Sequence, residues 1–247
     1  MSDTSNYLMF SLKILFIIVL FSAAIFLLCT ICLLPVTVAS PVNNFSSDVQ
    51  VVIDPGHGGK DGGAVSKSGL LEKDLNLSVS STFNDILILC GIDTVMTRSD
   101  DKLVCDENDP ALKGKVKLTD LKNRLSIGKD NPSAVFISVH MNTFPEEKYN
   151  GLQIYFSPNN ENSFFLAKSI QDDICRVMQN DNNRKVKKAG SNIYLLDRME
   201  SPAILIECGF LSNIKESQKL ATSEYQTQLS LVFSKTVLEF LSENSNN

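Results

Sequence analysis

The sequence predicts an α/β fold: a single domain with a mostly parallel twisted sheet and helices on both faces, preceded by one N-terminal transmembrane helix. Three observations predict it. Short apolar runs bounded by Pro, Gly or Asn alternate with longer stretches of helical period. The chain has 247 residues, 43% hydrophobic and 21% charged, which suits one domain with a real core. Residues 14–36 contain no charged side chain.

That uncharged run is long enough to cross a bilayer core, which needs about 20 apolar residues. A cleaved signal has a shorter apolar core, and Pro41 follows the small residues Val38-Ala39-Ser40. An uncleaved anchor is therefore expected at 14–36, after a cytoplasmic N-terminus at 1–13. Lys13 agrees with that orientation. Residues 37–49 are small and polar and read as a linker. The domain expected at 50–247 then lies outside the cytoplasm.

Gln50 to Asp54 reads as the first strand, ended by Pro55 and Gly56. Leu71 to Cys90 reads as a helix with Leu75, Val79, Phe83, Ile86, Leu87 and Cys90 on one face. Glu72 falls in its first turn, where a negative charge suits the helix dipole and exposure is expected. Ile92 to Thr97 is a second strand, and residues 99–117 are irregular and polar. A helix is expected over Thr119 to Lys129, capped by Thr119 or Asp120. Strands follow at Ala134 to Val139 and, after Asn150-Gly151, at Leu152 to Ser157. Ser163 to Met178 is helical, and 180–191 is a polar, basic loop. Short strands are expected at Ile193 to Leu196 and Pro202 to Ile206. A last helix is expected at Tyr225 to Leu241, with Tyr225, Leu229, Val232, Phe233, Val237 and Phe240 in register.

The chain has only two histidines, and both follow strands: His57 in Asp54-Pro55-Gly56-His57-Gly58-Gly59, and His140 after Val135 to Val139. Glu207 closes the run Ala203 to Ile206, and Glu72 opens a helix. In open α/β sheets the crevice beyond the carboxyl ends of the strands is the usual place for chemistry. Two imidazoles and a carboxylate give three ligands to Zn²⁺ and leave a fourth position for water. A second carboxylate nearby can serve as general base. A histidine or Glu72 alone reads more plainly as structural, a satisfied histidine or a solvated helix-start acid; Glu207, after four apolar residues, is harder to dismiss, its plain reading being a structural salt bridge.

The segments VVIDPGHGGKDGG, LLEKDLNLS, FISVHMN and PAILIECGFLSN resemble, in order, those of the zinc-dependent N-acetylmuramoyl-L-alanine amidases. The resemblance runs from about Gln50 to about Phe240. Within the family, NNRKVKKAGSNIYLLDRMESPAILIECGFLSN is most similar to the CwlD-type amidases of spore-forming bacteria. The resemblance implies zinc bound by His57, Glu72 and His140, with Glu207 as base. It implies cleavage between N-acetylmuramic acid and the first L-alanine of the peptidoglycan stem peptide, and a place in spore cortex modification. Met141 stands where the family more often has Ala, which bears on pocket width.

Asn142, Arg98 and Arg124 are the candidates for substrate contact. Asn142 follows a ligand by two residues. Either arginine could hold a substrate carboxylate with its planar fork, and a structural ion pair is an equal reading of each. The basic cluster Arg184, Lys185, Lys187 and Lys188 reads first as a solvated loop, and second as a contact for wall-peptide carboxylates or a partner protein. The glycine-rich loop is not a nucleotide site, since Asp61 follows Lys60 where a P-loop needs Ser or Thr. A formal net charge of −5 argues against nucleic acid. The four cysteines outside the apolar run, Cys90, Cys105, Cys175 and Cys208, are expected to be mostly free. The rival readings are a zinc peptidase or carboxypeptidase acting on wall peptides, and a non-catalytic anchored wall-binding protein. No wall-binding repeat is present in the chain, which leaves localisation or metal loading to the anchor or to a protein partner.

Overall fold

A computed structural model describes residues 49–244. The cytoplasmic N-terminus, the anchor at 14–36 and nearly all of the linker lie outside the described residues. Among the described residues no helix is long and apolar enough to cross a membrane.

Six strands form one sheet: β1 (Val51–Pro55), β2 (Thr94–Met96), β3 (Val135–Asn142), β4 (Gln153–Phe156), β5 (Lys187–Lys188) and β6 (Ala203–Phe210), in the spatial order β2-β1-β3-β6-β4-β5. All neighbouring pairs are parallel except β4 with β6, so the sheet is mixed but mostly parallel. The helices are α1 (Glu72–Leu89), α2 (Val116–Lys129), α3 (Asn162–Val177), α4 (Tyr194–Arg198), α5 (Ile214–Leu220) and α6 (Ser223–Asn244).

Strand alternation divides the core in two. Val51, Ile53, Ile137, Val139, Ile204 and Ile206 face one side, where Phe83 of α1, Ile170 of α3 and Phe233 of α6 pack on them. Val52, Phe136, Ala203 and Leu205 face the other side, against Leu195 and Leu196 of α4 with Leu121 and Leu125 of α2 alongside. Both sheet faces are thus covered, which is why the central strands read as continuous apolar runs.

Three local expectations are corrected. The run at Ile193 to Leu196 is not a strand but leads into α4. An apolar run this short does not distinguish strand from helix by its period. The helix expected at Thr119 begins at Val116 without a side-chain cap. Asp120 is drawn elsewhere: its carboxylate accepts from Val104 N and Arg124 Nε. Inside the basic loop, Lys187–Lys188 forms β5, parallel to β4. The helix α5, capped by the Asn213 side chain, was not foreseen.

The chain order places β1 between β2 and β3, so successive connections leave β1 in opposite directions. This topological switch point opens a crevice between the carboxyl ends of β1 and β3. The loop after β1 and the end of β3 carry the two histidines.

Candidate active site

Glu72 is the hub of the site. Its Oε1 lies 2.9 Å from His140 Nδ1 and 3.2 Å from His57 Nε2. Met141 N donates to the same oxygen at 3.1 Å, and Ala64 N donates to Oε2 at 2.7 Å. Ligand atoms from His57, Glu72 and His140 all lie within 4.8 Å of one another. Glu72 is buried, contrary to the exposure expected at a helix start. Its two imidazole neighbours outweigh the cost of burial and hold its carboxyl far below the usual carboxylate range. Burial alone would lower the pKa of His57, but Glu72 and Asp61 raise it overall.

The two rings meet edge to face with centroids 5.0 Å apart. On its other nitrogen, His57 Nδ1 lies 3.0 Å from Asp61 Oδ2. A carboxylate on the far ring nitrogen fixes the tautomer and orientation of a metal-ligating histidine. Two imidazoles and a carboxylate form a donor set that fits a divalent metal, with Asp61 outside it steadying His57.

Glu207 completes the site from the adjacent strand. It is the direct cross-strand partner of His140 in the β3–β6 register. Part of the residue reaches the surface, yet its Oε2 is enclosed and has no hydrogen-bond partner. Burial lifts its carboxyl to about 7; Glu72 adds to the lift, and the imidazoles oppose it. A cation in the neighbouring cluster would pull it back down.

The glycines make room for this geometry. A Cβ on Gly56 would lie 2.2 Å from Cε1 of His140, so only glycine lets the loop pass beside that ring. Gly63 has φ +67, and a Cβ there would lie 2.6 Å from Glu72 Oε2. His57 itself sits at φ 62, a left-handed conformation uncommon in residues other than glycine.

Arg98 and Arg124 hold that conformation in place, and this corrects their reading as substrate contacts. Both are buried. Arg124 donates to the carbonyls of Pro55 at 2.7 Å and His57 at 2.6 Å. Arg98 donates to Pro55 O and Gly56 O, each at 2.9 Å, and Asn76 Nδ2 donates to Gly56 O at 3.1 Å. Three successive carbonyls are therefore gripped from below. Arg124 is in turn paired with Asp54 and Asp120 at 2.7 Å each. Burial would raise the Asp54 carboxyl, but Arg124, Ser138 and Thr97 together hold it below the ordinary value. Replacing Arg124 by Met should therefore cost about 3–5 kcal/mol of stability, because Asp54 would be left charged, buried and without its cation. Denaturant unfolding checks this, and a loss below about 1 kcal/mol would reduce the pair to the standing of a surface salt bridge.

The remaining candidates fall as follows. Asn142 ends β3 at the rim, half-buried, and no hydrogen bond of its side chain is seen among the described residues. Met141 points into the core, so it does not set the pocket width. The four described cysteines are free, and burial raises the pKa of the Cys208 thiol. Sequence reading missed Asp54, Asp61, Asn76 and Asp120. The spacing of Asp61 four residues after His57, and of Asp120 four before Arg124, was the available signal.

Comparison with known proteins points to one family. The family described as N-acetylmuramoyl-L-alanine amidase (Amidase_3) matches residues 51–237. The germination-specific N-acetylmuramoyl-L-alanine amidase of Bacillus subtilis is 35% identical over 193 residues, covering 78% of this chain and 80% of that protein. The CwlD amidase of Clostridioides difficile, solved in complex with the GerS lipoprotein, superimposes with a TM-score of 0.75 at 34% identity, covering 79% of this chain and 99% of that one. AmiC2 of Nostoc punctiforme gives a TM-score of 0.67 at 32% identity, over 80% of this chain and 99% of that one. Family and relatives agree, and the chain belongs to the N-acetylmuramoyl-L-alanine amidases, of the CwlD type, which hydrolyse the amide joining N-acetylmuramic acid to L-alanine.

Proposed function

We propose that the amidase works with one zinc ion held by His57, Glu72 and His140, and that Glu207 is its general base. The observation that carries this reading is the convergence of three metal-type ligand atoms within 4.8 Å beside a carboxylate whose Oε2 is enclosed and unpartnered. Bound there, zinc would supply a Lewis acid that acidifies water and polarises the scissile carbonyl. Asp61 holds the His57 ring, and the arginine-gripped loop holds its backbone. Glu207 takes the proton of the attacking water and passes it to the departing amine of L-alanine. Asn142, at the rim, donates to the substrate in this reading.

The biological setting is proposed on the same footing. The germination-specific relative and the CwlD neighbour favour a role in spore cortex modification. The uncharged run at 14–36 favours a membrane-anchored enzyme with its domain outside the cytoplasm. The complex of the CwlD neighbour with a lipoprotein favours a protein partner for loading or placing this enzyme.

Intact peptidoglycan incubated with the full chain, with chelator and with added Zn²⁺, tests the chemistry. Whole stem peptides should appear only when metal is supplied. Undiminished release after metal removal would refute the zinc dependence, and single D-amino acids would mean a carboxypeptidase. Fractionation of the producing cells tests the anchor: a soluble form beginning near residue 40 would make the segment a cleaved signal.

A further inference from the structure

The basic loop before β5 returns to the active site. Gln153 of β4 is the cross-strand partner of Glu207. Its Nε2 donates to Lys185 O at 2.7 Å, which ties the loop to the row of residues beside the base. β5 lies two strands from β6, yet the guanidinium of Arg184 reaches back to lie 4.7 Å over the ring of Phe210 at the end of β6. It also lies 5.9 Å from the ring of Tyr149, and its Nε donates to Asn150 O at 2.8 Å. Lys148, Tyr149, Asn150, Asp181, Asn182 and Arg184 line an open concavity of about 340 Å³ there.

Arg184 is therefore fixed on one face and at one nitrogen. Among the described residues its terminal nitrogens make no hydrogen bond and it forms no salt bridge; the carboxylate that feels its charge, Glu216, is taken up by the N–H groups of Gly151 and Phe210, and Asp181 lines the same concavity. Lys148, Lys185, Lys187 and Lys188 likewise form no salt bridge among the described residues. The other described arginines are either paired with an acid (Arg124, Arg176, Arg198) or wholly engaged by backbone carbonyls (Arg98). A stacked, half-buried guanidinium with a free edge is a receptor for a carboxylate, because its fork matches two carboxylate oxygens.

The distance suits the substrate. Phe210 follows Glu207 by three residues along β6, across a register irregularity that sets them against only two steps of β3, or about 7–10 Å of strand. An extended peptide covers that distance in about three residues. We propose that Arg184, seated on Phe210 and Tyr149, binds a carboxylate within the first three residues of the stem peptide and so makes the amidase selective for acidic stems. This rests on the amidase reading of the same site.

The test uses the metal-loaded full chain and two muramoyl tripeptides that differ only in their carboxylates, free in one and all converted to carboxamides in the other. Wild type should favour the free form by about 10- to 100-fold in KM, the range of a charge-assisted hydrogen bond. Arg184→Ala should remove that preference with kcat and metal content unchanged, and Arg184→Lys should restore part of it. Equal KM for the two forms with wild type would overturn the proposal without any variant. Equal losses on both forms in Arg184→Ala, with a lowered melting point, would make the residue a loop anchor only. If wild type released stem peptide from neither form, the amidase reading would fail first, and that result is distinct from loss of selectivity.

Discussion

His140→Ala is expected to lower metal content sharply and to abolish stem-peptide release. With His140 gone, only His57 and Glu72 remain as protein ligands, and zinc sites that perform catalysis ordinarily have three. The fold should survive. His140 lies two residues before the end of β3, at the crevice, and is partly exposed, while the core positions before it, Phe136, Ile137 and Val139, are untouched. Glu72 would keep the N–H groups of Ala64 and Met141. A site that binds metal should therefore lose it with little change in thermal midpoint when both proteins are compared metal-free. Metal analysis after dialysis against a weak chelator gives the readout. Wild-type occupancy and affinity in the variant would remove His140 from the ligand set, and a Tm collapse in the metal-free comparison would make it a structural histidine.

The site was legible because its side chains sit where the strands end. His57 and His140 could be placed from the apolar runs before them, and Glu207 from the improbability of an acid after four buried residues. The register adds what spacing could not: His140 and Glu207 are direct neighbours across β3 and β6. The supports were harder to read. Asp54 lies inside the same run that located His57, yet a single aspartate before Pro-Gly reads first as a turn residue. Only the fold brings it to Arg124, 70 residues away. The two arginines show the same limit. Their chemistry suited a substrate carboxylate or a structural pair equally, and burial decided for the second. For Arg184 the proposed role is its second sequence reading, a contact for wall-peptide carboxylates. In sequence it belonged to a solvated basic run, and its stacking on Phe210 depends on a strand order that no local pattern encodes.

Glu207→Gln should keep the fold and the metal but lose most of the activity. Glutamine is nearly isosteric, so packing beside the buried Ile206 and Cys208 should persist. The three ligands are unchanged, and metal content should be too. The fall in rate should be about 10²–10⁴, the usual contribution of a general base. A structural glutamate would behave otherwise. The natural structural reading is a salt bridge, but Glu207 forms none among the described residues, and its Oε2 has no partner at all. Loss of a charge that forms no salt bridge, and whose burial outweighs the pull of the two imidazoles, should not destabilise the protein. Burial makes that charge costly, with the carboxyl raised to about 7 in the metal-free site. Stability of the metal-free variant should therefore hold or rise slightly above pH 7, where wild type must keep a buried carboxylate ionised. The sign follows from linkage: a pKa raised on folding means the folded state binds more protons, so wild-type stability falls as pH rises from the unfolded value toward the folded one. Glutamine has no such dependence. Zinc content, thermal midpoint at two pH values and stem-peptide release from one preparation decide the matter. Near wild-type release with normal zinc would dismiss Glu207 as the base. A large drop in the midpoint with activity falling in step would make it structural.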